Sequence, residues 1–311
     1  MAPKRKSAPS RNPFHSEASS SSDPTPFSIR FRDEDARKDF SKNFSRRGVH
    51  LECWVILSDF SDIDLATVIH NQGWESLCDI LVICSFVLIQ EFYSNMHGLD
   101  SSVPLFHTRI WGMRIVVTLE FVSDVLRVPR VGHPDYPSCE RLRTVSKDEM
   151  IFTFCECLVD WGDHQFTLCS TFVKGPRFMN MVIIFVLHPL SHYKSITEPR
   201  DRFLLSLLEH LTIYFPSHFI FSIINVCRDT AIRNKLIFPL AITRILCHFS
   251  IPFPSSNHFF VMCAIDYVTV KRSEAQFRSR WSDMAAPTPS APSTSTPFTL
   301  IGGVTLDAIM A

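Results

Sequence analysis

Glycine is scarce in this chain, at 9 of 311 residues, while phenylalanine reaches 27. So little glycine argues against a turn-rich all-β architecture, and a content of 46% hydrophobic residues means that the middle of the chain must fold. Net charge is absent too, because 31 Lys and Arg balance 31 Asp and Glu. No global field draws the chain to nucleic acid or to an anionic membrane, so any such contact has to be local. The apolar runs ILVICSFVLI (80–89) and MVIIFVL (181–187) fall short of the roughly 20 residues that a bilayer span needs. Both read as core segments, and no membrane partner is expected. No G-x-S-x-G elbow, Walker A loop, dinucleotide glycine pattern, D-[ST]-G or Y-x-D-D occurs. No catalytic residue, cofactor, metal or small-molecule ligand is therefore assigned from motifs.

Ten cysteines (53, 78, 84, 139, 155, 157, 169, 227, 247 and 263) follow no repeated spacing, and no secretory leader precedes them. They read as reduced thiols of a cytosolic or nuclear protein, many serving as small buried hydrophobes. Residues 1–26 are rich in Ser and Pro with a basic start, and 282–299 repeat that character, so both are expected to be disordered. The segment between them, 27–281, is large enough for one sizeable core. The cluster Lys4, Arg5, Lys6 is a weak nuclear-import motif, which leaves nucleus or cytoplasm as the expected compartment.

The periodicity of 27–281 predicts a mainly α domain carrying a small β-hairpin. SKDEMIFTFCECLV opens with Ser146 and Glu149 in capping-box spacing and puts Met150, Phe154 and Leu158 on one stripe. In SDIDLATVIHNQG, Ser61 and Asp64 mark the entry, Leu65, Val68 and Ile69 the buried face, and Gly73 the stop. Three further helices are expected around 198–213, 216–231 and 239–249. In the first of them Phe203, Leu204, Leu207, Leu208 and Leu211 face the core and Arg200, Arg202, Ser206 and Glu209 face away. FHTRIWGMRIVVT (106–118) alternates on either side of Gly112 and suits a hairpin, followed by a short helix in LEFVSDVLRVP. The stretch 77–93 is apolar on every side and fits either a buried helix or a strand followed by one.

Three features raise the question of chemistry. His188 and His192 have the i, i+4 spacing of zinc-binding pairs, but Pro189 ends the preceding helix, and Ser195 with Glu198, or Thr197, can cap the next one. HPLSHYKSIT therefore reads as an interhelix corner. CECLVDWGDHQFTLC matches the end of a zinc knuckle through His164 and Cys169, but Cys155 and Cys157 are too close together, and Cys155 sits on a helical stripe. Asp59, Asp62 and Asp64 could hold a divalent ion for a nuclease, although capping of the following helix accounts for acids there. EDARKDFSKNFSRRG (34–48) reads as a surface helix anchored by Phe40 and Phe44, with nucleic-acid contact an alternative.

Taken in order, KDFSKNFSRRGVH, VIHNQGWESLCD, LIQEFYSNMHGLD, TRIWGMRIVVTLEFVSDVLRVPRV, GPRFMNMVIIFVLHPLSHYKSIT, RFLLSLLEHLTIYFPSHFIFSIINV and RDTAIRNKLIFPLAITRILCHFSIPFP resemble the plant transposon protein domain. The resemblance runs from about Phe40 to Arg278. It implies an origin in a plant retroelement and no assigned catalytic residue. Relatives usually carry Pro where this chain has Leu119, and they continue beyond GGVTLDAIMA in a long amphipathic helix. Residues 300–311 are accordingly expected to begin such a helix in a truncated copy. The function that follows is non-enzymatic, an association with protein or nucleic acid partners or with itself. The alternatives are a metal-dependent nuclease or transposase and a gag-like structural protein.

Overall fold

The computed structural model describes residues 30–50, 52–79, 83–100, 102–156, 166–168, 171–189, 195–253, 258–260 and 264–275. The chain divides into a unit that runs to Lys271 and a second that begins at Arg272, of which 272–275 are described. The first unit is mainly helical. Its helices include α1 (Glu34–Lys42), α2 (Leu65–Gln72), α3 (Glu75–Cys78), α4 (Phe86–Ser94), α5 (Leu119–Leu126), α6 (Glu140–Thr144), α7 (Lys147–Cys155), α8 (Lys174–Val182), α9 (Glu198–Leu208), α10 (Phe215–Arg228) and α11 (Pro239–His248). The tail, linker and terminal-helix expectations at 1–26, 282–299 and 300–311 lie outside the described residues.

Helix boundaries follow the chemistry of their ends. Ser146 caps α7 by accepting from the Glu149 N–H at 3.2 Å, and Thr118 does the same for α5 from Phe121 at 3.2 Å. The end of α2 needs Gly73 twice over. Its φ is +65°, and a Cβ there would lie 2.5 Å from the Pro129 ring. Asp64 precedes α2, yet its side chain makes no cap bond, so the sequence expectation for that end is corrected. The helix of MVIIFVL stops at His188 as Pro189 requires, but its last turn, Ile183–Leu187, widens into a π-helix.

Among the described residues the strands pair in twos. β3 (Phe106–Ile110) and β4 (Met113–Val117) form the expected hairpin, closed by Trp111 and Gly112 at φ of 50° and 82°, the two-residue turn that matches strand twist. β1 (Trp54–Val55) runs parallel to β8 (Ala264–Ile265), and β2 (Ile83–Ser85) runs antiparallel to β7 (His258–Phe260). The 77–93 ambiguity thus resolves as a strand followed by a helix. β5 (Phe166–Leu168) pairs with β6 (Ser195–Thr197). Ser195 therefore lies in a strand and does not open a capping box, so the corner after His188 returns through β6 before α9 begins.

One core joins the helices, with Phe60, Phe92, Phe106, Phe154, Phe178 and Phe203 fully enclosed. Burial of side chains this large is the main favourable term in the fold, on the order of 2 to 3 kcal/mol each. The hairpin is fixed to that core by the Thr108 hydroxyl, which donates to the Phe92 carbonyl at 2.8 Å, and by edge-on contact between the Phe92 and Phe106 rings. α9 packs on both α7 and α8. For that reason Arg200 and Ser206, expected to face solvent, are buried at 1% and 0% exposure. Among the described residues no helix is long and apolar enough to cross a membrane.

Candidate functional site

The segment 47–55 carries an unusual number of buried polar groups, and each engages the C-terminal third of the chain. Arg47 is 1% exposed. Its guanidinium donates to the carbonyls of Asn234 (2.8 Å), Val226 (2.9 Å) and Asp229 (3.0 Å), which lie at and beyond the C-terminal end of α10. The negative end of a helix dipole favours a cation there. The His50 N–H donates to the Leu236 carbonyl at 2.7 Å, and the Leu236 N–H donates to Gly48 at 2.8 Å. The sequence placed Arg47 on an exposed basic surface, and the structure corrects this.

Glu52 is buried, and its Oε2 accepts from the Leu240 N–H in the first turn of α11 at 2.5 Å. Burial pushes its pKa up to about 8, against the pull of that hydrogen bond and of Arg244. The carboxyl is thus mainly protonated at neutral pH. It faces a cavity of about 20 Å³, lined also by Asp79, Arg244, Leu77, Phe215 and Phe238, with room for about one water molecule.

Two imidazoles pair within the core. His188 Nδ1 and His218 Nε2 are 2.9 Å apart, so one ring donates and the other accepts. Phe203 packs on both rings, at 6.0 and 4.8 Å between centroids. Both residues are partly accessible at their margins but lie deep among protein atoms. Desolvation holds His218 down to about 4, while desolvation, His218 and Arg200 hold His188 well below its usual value. Desolvation, Lys235 and Arg200 bring His50 to about 3. These rings are neutral at pH 7 and act as hydrogen-bonding core groups.

The structure separates the residues that the sequence grouped. Asp59 accepts from the Tyr267 N–H at 2.8 Å, Asp62 pairs with Lys174, and Asp64 lies 3.1 Å from His210 Nε2. Three acids with three different partners form no shared site, and among the described residues no three His, Cys, Asp or Glu side chains group as metal ligands. His188 turns to His218 on α10, while His192 lies outside the described residues. Cys155 is buried on α7 with its sulfur 3.4 Å from the Thr171 hydroxyl, and Cys157, His164 and Cys169 also fall outside them. Phe44 is buried and Phe40 half-buried, but α1 ends at Lys42 and Phe44 lies in a separate 3₁₀ turn (Phe44–Arg46), so the single helix expected over 34–48 is corrected.

Cys53 is disulfide-bonded, against the expectation of reduced thiols throughout, while Cys78, Cys84, Cys139, Cys155, Cys227 and Cys247 are free. Sequence reasoning missed Glu52, His50 and Arg200 as buried polar groups. The available signal was Glu52 and His50 standing inside the apolar stretch VHLECWVIL. Compared with protein-family models, curated proteins and solved structures, the chain matches none.

The surface offers a different kind of site. On the β3–β4 hairpin Arg109 stands directly opposite Arg114, and Met113 and Val116 are exposed. Like charges directly opposite on neighbouring strands repel. Among the described residues β4 pairs with β3 alone, which leaves the other edge of β4 open.

Proposed function

We propose that this chain is a non-enzymatic association module, derived from a plant transposable element, that contacts protein or nucleic acid partners through the β3–β4 hairpin. The observation that carries the reading is the hairpin itself: a cross-strand arginine pair, two exposed apolar side chains and an unpaired strand edge on one short ribbon. Paired guanidinium groups are relieved by an anionic partner, and an open edge accepts an added strand. The titratable groups of the interior add support, since they are enclosed and engaged in holding elements together. The segment resemblance supports the element-derived origin, and Lys4, Arg5 and Lys6 support a nuclear or cytoplasmic location.

The test measures two properties of the purified chain: fluorescence anisotropy of labelled single- and double-stranded DNA at low salt, and sedimentation across a concentration series. Phosphate-driven binding is strongest at low salt and weakens steeply as salt rises. The expected result is binding or self-association that Arg114→Glu and Val116→Lys reduce at least about tenfold, equivalent to ~1.4 kcal/mol. A chain that shows neither property overturns the reading. Mg²⁺- or Mn²⁺-dependent DNA cleavage that Asp62→Ala abolishes would establish the nuclease alternative instead.

A further inference from the structure

His97 and His107 stand directly opposite each other where the chain leaving α4 meets β3. The bridge is antiparallel and its residues exchange both backbone bonds, His97 N–H donating to His107 at 2.9 Å and His107 N–H to His97 at 3.0 Å. Residues paired in this way send their side chains to one face of the ribbon, with Cα atoms about 5.5 Å apart. That face is the outer one, because Phe106 and Thr108 on either side of His107 are buried. His97 is exposed and His107 half-buried, and their ring centres lie 5.3 Å apart.

Two local contacts prepare the pair. His97 Nδ1 lies 3.2 Å from the Asn95 carbonyl oxygen, which can only accept, so Nδ1 carries the proton of the neutral ring and Nε2 keeps its lone pair. A bond of this kind orients metal-binding imidazoles and raises their basicity. The same carbonyl accepts from the Arg32 guanidinium at 3.3 Å, which helps to hold it in place. Gly98 supplies the second contact. Its φ is +67°, and a Cβ there would lie 3.0 Å from His107 Cδ2, so glycine lets this ring rest against the backbone beside His97.

We infer that His97 and His107 chelate one divalent transition-metal ion, of which zinc is the type, through one nitrogen of each ring. A zinc ion about 2.0–2.1 Å from a ring nitrogen lies roughly 3.2 Å from that ring's centre, so two rings at a tetrahedral angle have centres about 5.2 Å apart. The observed spacing meets that requirement. Among the described residues no third protein ligand groups with the pair, so water completes the shell. The buried pair of His188 and His218 offers no such site, because there one ring nitrogen donates to the other. Bound metal ties the segment after α4 to β3, the strand whose partner β4 carries the open edge. The site needs no macromolecular partner and stands apart from the association reading.

The experiment modifies the full chain with diethyl pyrocarbonate across a series of zinc concentrations and reads each histidine by peptide mass spectrometry. Exposed His133, between α5 and α6, serves as the reference for a single imidazole. Chelation makes the second metal–ligand bond intramolecular, so His97 and His107 should be protected together at a zinc concentration at least about tenfold below that for His133. His97→Gln should move the protection of His107 up to the concentration that protects His133, and His107→Gln should do the same to His97. Magnesium, which prefers oxygen ligands, should protect neither. Protection of the pair only where His133 is also protected, protection of one ring that survives loss of the other, or equal protection by magnesium would each overturn the inference. Because His97 is exposed, His97→Gln removes no packing from the core.

Discussion

Stability should peak near neutral pH and fall on both sides for two different and separable reasons. His50 and His218 are held at about 3 and about 4, and His188 well below its ordinary value of 6.5. As pH falls below 6.5 the unfolded chain takes up three protons that the folded chain refuses, and stability is lost. Glu52 works in the opposite sense. Its folded pKa of about 8 against 4.5 means that the folded chain keeps a proton the unfolded chain has released, so its contribution is present below 4.5 and is lost as pH rises to 8. Between pH 6 and 5 the histidines outweigh Glu52 by about three protons to one, and stability falls by roughly 3 kcal/mol per pH unit. The two effects balance near neutral pH. From there to pH 8 Glu52 alone removes on the order of 1 kcal/mol. Above about pH 8.5 the buried thiols of Cys78, Cys84 and Cys227, each pushed up to about 12, continue the decline. Urea unfolding at constant ionic strength from pH 5 to 9 measures the profile. Glu52→Gln should flatten the limb between pH 7 and 8 and steepen the acid limb by about one proton, while His50→Gln should lower the acid slope by about one-half. An acid slope unchanged in His50→Gln, or a fall between pH 7 and 8 that persists in Glu52→Gln, would refute the reasoning.

Three further outcomes rest on single contacts. Gly73→Ala should cost at least about 2 kcal/mol, because the new Cβ meets both a left-handed backbone and the Pro129 ring; chemical denaturation checks it. Arg47→Met keeps the volume but leaves three carbonyls without their donor, at about 3 kcal/mol, with raised amide exchange at the end of α10 as the local readout. Ser146→Ala should cost about 1 kcal/mol through loss of the α7 cap, whereas Asp64→Ala, which removes no cap bond, should cost well under half of that; the pair of melting curves decides it.

Local signals in the sequence carried a good part of this architecture. Ser146, Gly73, Pro189 and the turn at Gly112 each mark a boundary through the chemistry of one residue, and helices and hairpin appear where those marks stand. What escaped depends on distant partners. β1 and β2 are two and three residues long and exist because 264–265 and 258–260 pair with them, a pairing that no window of sequence contains. Periodicity likewise put Arg200 and Ser206 on a solvent face, because a helix covered on two sides by α7 and α8 shows the same pattern as one covered on a single side. The hairpin site was legible as a hairpin, yet the opposition of Arg109 and Arg114 follows from register and not from composition.

The segment 47–55 explains why those polar groups are buried at all. Arg47 satisfies carbonyls beyond α10, Val49 bridges Leu236, His50 donates to Leu236, Glu52 accepts from α11, and Trp54 and Val55 pair with β8. Apolar side chains in place of Arg47 and Glu52 could fill the volume but could not meet the backbone groups left over where α10 ends and where α11 begins. Each of those groups would cost roughly 1 to 3 kcal/mol if buried unpaired. The polar side chains therefore determine which segments lie together, and the surrounding phenylalanines supply most of the free energy that keeps them there. Such an arrangement should come apart as a unit: exposing one of these groups to water opens the path to the next, so amide exchange across 48–55 and 236–242 should report a single common opening.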